Sequence, residues 1–162
     1  LRYYDFVNDE KFAGEFVQAK KDTSLKGPLL LQQELERKGI AEPIIEQTIQ
    51  EFSEEEQIEK ILALVDKKLS SYQKYSAKQQ RLKLVQFLLN KGYSLSTIEK
   101  ALARRPLGQN EQSEWEALVY QGEKIKRKFS HLPHEEYVWK MKRALYERGF
   151  PLPLIERYLS EN

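Results

Sequence analysis

The sequence has 162 residues, a net charge of +2, 32% charged side chains, no cysteine, 7 glycines and 6 prolines. It lacks disulfides and has no apolar run near the ~20 residues that a membrane-spanning helix needs. The abundance of Glu, Lys, Gln and Leu, without alternating strand patterns, predicts an all-α protein of the cytoplasm.

The first repeat is predicted to span residues 1–53. The chain begins without Met, and its first four residues read as the end of a helix, so residues 1–5 are expected to be the tail of a preceding repeat. A long helix is predicted to begin after the capping sequence Asn8-Asp9-Glu10 and to bury Phe12 and Phe16. A medium helix should then end at Gly39, before a short third helix.

The second repeat is predicted to span residues 54–109. Its long helix should start after Ser53, which is followed by three glutamates. One apolar stripe recurs at helical spacing and comprises Ile58, Ile61, Leu62, Val65, Leu69 and Tyr72. Gly92 marks the end of the medium helix of this repeat.

The third repeat is predicted to span residues 110–162. Asn110 and Glu111 resemble the start of a long helix, and Gly149 marks the end of the medium one. Each unit therefore reads long helix, medium helix, short helix. We expect about three such units to stack into an elongated, curved array.

The three glycines belong to a sequence motif that occurs three times, as LERKGI, LLNKGY and LYERGF, with Gly39, Gly92 and Gly149 in matching positions. A leucine stands four residues before each glycine, a basic residue one before, and an apolar residue one after. This pattern indicates a helix that stops at a left-handed glycine. We therefore interpret the glycines as structural turns.

Charge is distributed unevenly, with −3, +5 and 0 in the successive repeats. In the second repeat Lys60, Lys67 and Lys74 recur every seven residues, opposite the apolar stripe, and form a predicted solvent-facing row. The predicted contact surface for an acidic protein or a phosphate backbone consists of Lys60, Lys67, Lys74, Arg104, Arg105, Lys124 and Lys128.

Catalytic and metal-binding interpretations are weaker. The carboxylates at the helix starts are explained by capping, and no convincing nucleophilic motif or phosphate-binding glycine loop is present. His131 and His134 could hold one metal with Glu135 or Glu136, but a turn at Pro133 explains them equally well. We therefore expect none of these catalytic sites, no metal and no other cofactor.

Several short sequence motifs of this chain resemble those of the RecX family, the regulators of the RecA recombinase. They are LRYYDFVNDEKFA at Leu1 to Ala13, Lys26-Gly27-Pro28, Glu34-Leu35, Lys38-Gly39-Ile40 and FLLNKGY at Phe87 to Tyr93. The resemblance covers essentially the whole chain. It implies tandem three-helix repeats with an extra C-terminal repeat.

The resemblance also implies a non-enzymatic function. RecX-like proteins bind the RecA filament on single-stranded DNA, lie in its groove, and reduce ATP hydrolysis, strand exchange and co-protease activity in DNA repair and the SOS response. We expect this chain to do so as a monomer. One alternative is a direct nucleic-acid-binding module using Tyr72, Tyr75 and the basic run 124–128; another is a helical scaffold for an unrelated partner.

Overall fold

The fold is entirely helical across the part of the chain that the structure describes. The computed structural model covers residues 2–108 and 110–161, and within them it has nine α-helices, one 3₁₀ helix and no strand. The helices are α1 (Arg2–Thr23), α2 (Pro28–Arg37), α3 (Glu42–Gln50), α4 (Glu54–Leu69), the 3₁₀ helix (Ser70–Tyr72), α5 (Ala77–Asn90), α6 (Leu95–Arg104), α7 (Glu111–Phe129), α8 (His134–Glu147) and α9 (Leu152–Glu161). The predicted order of long, medium and short helices is confirmed in all three repeats.

The start of the first long helix was predicted wrongly. Asn8 does not cap it, because α1 already begins at Arg2 and passes through this position. The buried side chains of Ala13 and Val17 hold the helix in place, whereas Phe12, which was predicted to be buried, is 43% exposed. An Asn inside a helix costs only a fraction of a kcal/mol, about 0.7 at most. Leu1, part of the expected tail at 1–5, lies outside the described residues, and the rest of that tail is continuous with α1.

The other two predicted caps are confirmed. The backbone N–H of Glu56 donates to Ser53 Oγ at 3.2 Å, and the backbone N–H of Ser53 donates to Glu56 Oε1 at 3.2 Å, which is a reciprocal capping box at the start of α4. The backbone N–H of Ser113 donates to Asn110 Oδ1 at 3.2 Å at the start of α7.

The repeated glycine motif forms the same turn in all three places, and the turn after α5 shows its geometry. Gly92 has φ of 95°, its N–H donates to Leu89 at 3.0 Å, and the N–H of Tyr93 reaches back to the carbonyl of Leu88 at 3.2 Å. These two bonds define a Schellman motif, in which the residue after the glycine packs on the leucine four positions before it. Both Leu88 and Tyr93 are fully buried, which explains why the motif has a leucine four residues before its glycine and an apolar residue directly after it.

The chain packs into two compact units. The first comprises Leu1–Val65 and Val85–Arg105, and the second comprises Asp66–Leu84 and Pro106–Asn162. Helices α4 and α5 therefore contribute residues to both units. The boundaries of the three sequence repeats remain predictions, because this division follows packing and not the repeat pattern.

In the first unit, α1, α2 and α3 pack against one another. Tyr93 is buried in this unit, where its hydroxyl donates to the carbonyl of Leu25 at 3.0 Å, and burial raises its pKa to about 12. The buried side chains of the unit include Ala13, Val17, Leu31, Leu35, Ile44, Ile45, Ile58, Ile61, Leu88, Ile98 and Leu102. Helical periodicity places these residues on one face of each helix.

In the second unit, α7, α8 and α9 pack against one another. The core consists of Ala117, Leu118, Ile125, Met141, Leu145, Phe150, Leu154, Ile155 and Tyr158. The hydroxyl of Tyr158 donates to Glu123 at 2.8 Å, and desolvation raises the pKa of this phenol. Trp115 packs at the edge of the core between Tyr158 and the guanidinium of Arg157.

An equivalent hydrogen bond joins successive repeats in each unit. In the first, the N–H of Gly27, just before α2, donates to the carbonyl of Lys91 at 2.6 Å. In the second, the hydroxyl of Ser76, just before α5, donates to the carbonyl of Arg148 at 2.6 Å. The residue that opens the medium helix of one repeat therefore bonds to the basic residue before the turn glycine of the next.

Candidate interaction surface

Four residues of the second unit form a continuous basic surface, which we name the Tyr120 face: Lys74, Tyr120, Lys124 and Lys128. Tyr120, Lys124 and Lys128 follow one another at four-residue spacing on α7, so they lie along one side of that helix. The Nζ of Lys74 lies 4.9 Å from the ring centroid of Tyr120. All four side chains are exposed to solvent.

The position of Lys74 is fixed by the segment that follows α4. Its carbonyl accepts a 2.6 Å hydrogen bond from Gln121 Nε2 on α7. The ammonium group over the tyrosine ring adds an attraction of about 0.5–1 kcal/mol at such an exposed site. The segment between α4 and α5 thus delivers one lysine onto the surface of α7.

The positive charge at the Lys128 end of the Tyr120 face is stabilised by the C-terminal end of α7. Lys126, Arg127 and Lys128 occupy the last turn of α7, where positive charge complements the negative end of the helix dipole. Lys128 and Lys140 both approach the ring of Phe129, each at 5.8 Å. The basic run therefore has a structural role as well as an exposed charge.

The predicted lysine row is not confined to the long helix, because α4 ends at Leu69, before Lys74, and the row is only partly exposed. Lys67 is exposed in the second unit, whereas Lys60 is half-buried in the first. The Nζ of Lys60 donates to the carbonyl of Lys21 near the end of α1. The expectation of a fully solvent-facing Lys60 is therefore wrong, because a carbonyl in the last turn of α1 has no partner within its helix and accepts from this ammonium group.

The predicted arginines also lie in the first unit. Arg104 makes a bidentate ion pair with Glu55, at 2.7 and 3.0 Å, and this hydrogen bonding lowers the pKa of the Glu55 carboxyl. Arg105 is exposed and has an interaction of its own. The guanidinium of Arg104 is thus engaged with α4, so a partner carboxylate or phosphate would have to compete with Glu55.

The tyrosines of the nucleic-acid interpretation are half-buried. Tyr72 and Tyr75 pack edge to face at 6.1 Å, and Lys83 lies 4.4 Å from the Tyr75 ring. The aromatic residue that lies among exposed lysines is Tyr120, which was not among the predicted contact residues. Its four-residue spacing from Lys124 was the available signal.

The metal interpretation finds no support. His131 and His134 are exposed, and within residues 2–108 and 110–161 no group of three or more His, Cys, Asp or Glu side chains is arranged to hold a metal ion. In the same ranges, no helix is long and apolar enough to cross a bilayer.

Sequence models of known families match most of the chain. The model of the RecX third three-helix domain matches residues 54–102 and again 112–159, and the model of the second three-helix domain matches residues 8–49. The chain belongs to the RecX family. Each matched segment lies within one predicted repeat, so this RecX-family chain contains one copy of the second domain type and two of the third.

Similar proteins agree with this membership. The chain is 44% identical over 156 residues to a "Regulatory protein RecX" of Halalkalibacterium halodurans, with 96% of this chain and 59% of the relative covered. It is 41% identical over 159 residues to a "Regulatory protein RecX" of Geobacillus thermodenitrificans, with 98% and 59% covered. The chain thus spans about three fifths of the length of these curated relatives, whose description is that of a regulator.

Solved structures give the same result for the fold. The crystal structure of RecX from Lactobacillus salivarius matches with a TM-score of 0.58 at 30% identity, covering 59% of this chain and 62% of that one. A second crystal structure, of a regulatory protein RecX, matches with a TM-score of 0.56 at 32% identity, covering 59% and 47%. Tandem three-helix repeats are therefore the fold of this RecX-family chain.

Proposed function

We propose that this chain is a non-enzymatic regulator that binds the RecA filament on single-stranded DNA and lowers its ATPase, strand-exchange and co-protease activities. In this proposal it acts as a monomer in the cytoplasm. The observation that carries the proposal is membership of the RecX family across three repeats. A RecA filament is itself a repeating partner, so weak contacts from successive repeats can add.

The contact residues of this proposal are led by Lys67, Lys74, Lys124 and Lys128. All are exposed cations, and three of them belong to the Tyr120 face. Lys60, Arg104 and Arg105 complete the proposed set. Lys60 and Arg104 have intramolecular partners, so we assign the larger part of the contact to the Tyr120 face and Lys67.

Charge reversal tests these residues. The triple variant Lys67→Glu, Lys74→Glu and Lys124→Glu should weaken inhibition of the RecA-filament ATPase about tenfold or more, because each exposed charge contact contributes roughly 0.5 kcal/mol and reversal adds repulsion. A folded triple variant with undiminished inhibition would remove these lysines from the contact.

A matched control separates local contact from net charge. The triple variant at Lys11, Arg37 and Arg81 reverses the same number of exposed cations outside the proposed contact set. It should retain most of the inhibition. Equal losses in the two triple variants would indicate a general charge effect.

Direct contact with single-stranded DNA is the second candidate, and the exposed ring of Tyr120 beneath the ammonium group of Lys74 is the observation that favours it. Base stacking on an aromatic ring with adjacent cations is a usual mode of single-strand binding. The test is the affinity for bare single-stranded DNA as a function of salt. A steep decrease that Tyr120→Ser reduces would support this candidate, whereas negligible or salt-insensitive binding would eliminate it.

A further inference from the structure

A shallow apolar groove lies on the surface of the second unit, between α8 and the start of α9. Trp139, Tyr146 and Leu152 line it and are 58%, 65% and 42% exposed, with Lys142 and Arg143 beside them. The groove encloses about 240 Å³. Large aromatic side chains with this much exposure, gathered at one place, are typical of binding surfaces.

The groove occupies positions that recur in the repeat. Counted from the turn glycine, its apolar residues stand ten before, three before and three after Gly149. The same positions around Gly92 carry Leu82, Leu89 and Leu95, each of which is exposed. Around Gly39 they carry Leu29, Glu36 and Glu42. Two of the three repeats thus place large apolar side chains where neither core packing nor the turn requires them.

The rim of the groove has balanced charge. Lys142 pairs with Glu156 at 3.5 Å, and Arg143 pairs with Glu147 at 2.9 Å while its guanidinium lies 5.5 Å from the ring of Trp139. A phosphate backbone needs a net positive surface, which two neutralised ion pairs do not provide. An apolar centre with a rim of mixed charge is instead typical of a contact between proteins.

The size of the groove argues against a second copy of this chain as its occupant. Three partly exposed side chains offer roughly 300 Å² of apolar surface, since a large aromatic residue buries about 150–250 Å². A stable dimer buries about 800 Å² on each partner. A volume of about 240 Å³ accommodates one large side chain of a single segment.

We propose that this groove docks an amphipathic segment of the protein partner, which inserts one large apolar side chain between Trp139, Tyr146 and Leu152. The inference rests on the proposed function, in which that partner is the RecA filament. It adds an apolar anchor to the electrostatic contact of the Tyr120 face. Lysines then govern the rate of encounter, and the groove governs the lifetime of the complex.

The test is the affinity of the full chain, carrying a fluorescent label, for preformed RecA filaments on single-stranded DNA. Trp139→Ala and Tyr146→Ser should each weaken binding by about 30-fold, as expected for aromatic residues at the centre of an interface. The salt dependence of binding should stay that of the parent chain, because no charge is removed. Far-UV circular dichroism and the melting temperature show that both variants are folded.

Leu29→Ser is the matched control, because Leu29 is exposed at the position of the first repeat that corresponds to Trp139. In that repeat, glutamates occupy the positions of the other two apolar groove residues. It should bind as the parent chain does. Parent binding with undiminished affinity in both groove variants would overturn the inference and leave the proposed function intact. Absence of parent binding would overturn both. If the two groove variants instead lost affinity for bare single-stranded DNA, the groove would be assigned to nucleic acid. If they lost a dimer that the parent chain forms, it would be assigned to a second copy. Either result would overturn the inference.

Discussion

The hydroxyl of Ser76 donates a 2.6 Å hydrogen bond to the carbonyl oxygen of Arg148, 72 residues further along the chain. The same hydroxyl accepts from the N–H of Gln79 at 3.2 Å and so caps α5. One side chain therefore starts the medium helix of the second repeat and ties it to the glycine turn of the third. Gly27 and Lys91 make the equivalent joint in the first unit through backbone atoms.

Replacement of Ser76 by Ala should lower the free energy of unfolding by about 1–2 kcal/mol, because it removes a helix cap and leaves the carbonyl of Arg148 without this donor. Urea unfolding measures the change. Ser113→Ala is the control, since Ser113 is exposed in the first turn of α7 and should change stability by less than about 0.5 kcal/mol. Equal effects at the two serines would contradict the joint.

The turn glycines should differ in their tolerance of alanine. Gly39 has φ of 79° and open space where a Cβ would lie, so Gly39→Ala should cost about 1–2 kcal/mol for the left-handed conformation alone. At Gly92 a Cβ would lie 2.7 Å from the backbone N of Leu30, so Gly92→Ala should cost about 3 kcal/mol or more. Urea unfolding of both variants compares them, and equal costs would contradict the close approach of α2 to this turn.

The pair of Lys21 and Glu56 should make stability depend on pH. Lys21 is buried, and its Nζ donates to Glu56 at 3.2 Å, which lowers the pKa of that carboxyl below its ordinary value of 4.5. A carboxyl with a lowered pKa stabilises the fold above its unfolded pKa, and this contribution is lost as the pH falls through the folded value.

Glu56→Gln should therefore destabilise the protein at pH 7 by less than about 1 kcal/mol, since Glu56 is half-exposed, and the difference from the parent should vanish at strongly acid pH. Thermal unfolding from pH 7 to pH 2 measures this difference. A difference that grows toward low pH would have the wrong sign for this pair.

The sequence determined much of the fold in advance, because the signals are local. Ser53, Asn110 and the Schellman turns act within one or two helical turns, so their spacing along the chain is sufficient to find them. Asn8 gave a false signal, because the same residue type that caps a helix is also tolerated inside one when a buried face downstream holds the helix.

The candidate surface was harder to predict, because its contacts join distant parts of the chain. Lys60 shares its heptad spacing with Lys67, yet it bonds to a carbonyl 39 residues away. Lys74 and Tyr120 come together only through the packing of the segment after α4 on α7. Helical phase tells which side of a helix a lysine occupies, but not what the rest of the fold places beside it.

This distinction predicts different effects for two lysines. Lys60→Ala should lower the free energy of unfolding by about 1 kcal/mol, because it removes the donor to the carbonyl of Lys21. Lys67→Ala, at an exposed position of the same helix, should change stability by less than about 0.5 kcal/mol and weaken instead the proposed contact with RecA. The opposite ranking in urea unfolding would show that Lys60 is not anchored.

The proposed restraint of the RecA filament is tested most directly by titrating the chain into preformed filaments on single-stranded DNA and following ATPase activity and filament length together. ATPase activity should fall to a plateau as the chain is added, and the triple charge reversal at Lys67, Lys74 and Lys124 should weaken this fall. Loss of ATPase activity at constant filament length would indicate binding in the helical groove of the filament. Loss of both ATPase activity and length would indicate shortening of the filament. Unchanged ATPase activity and filament length at saturating concentrations of the chain would contradict the proposed function.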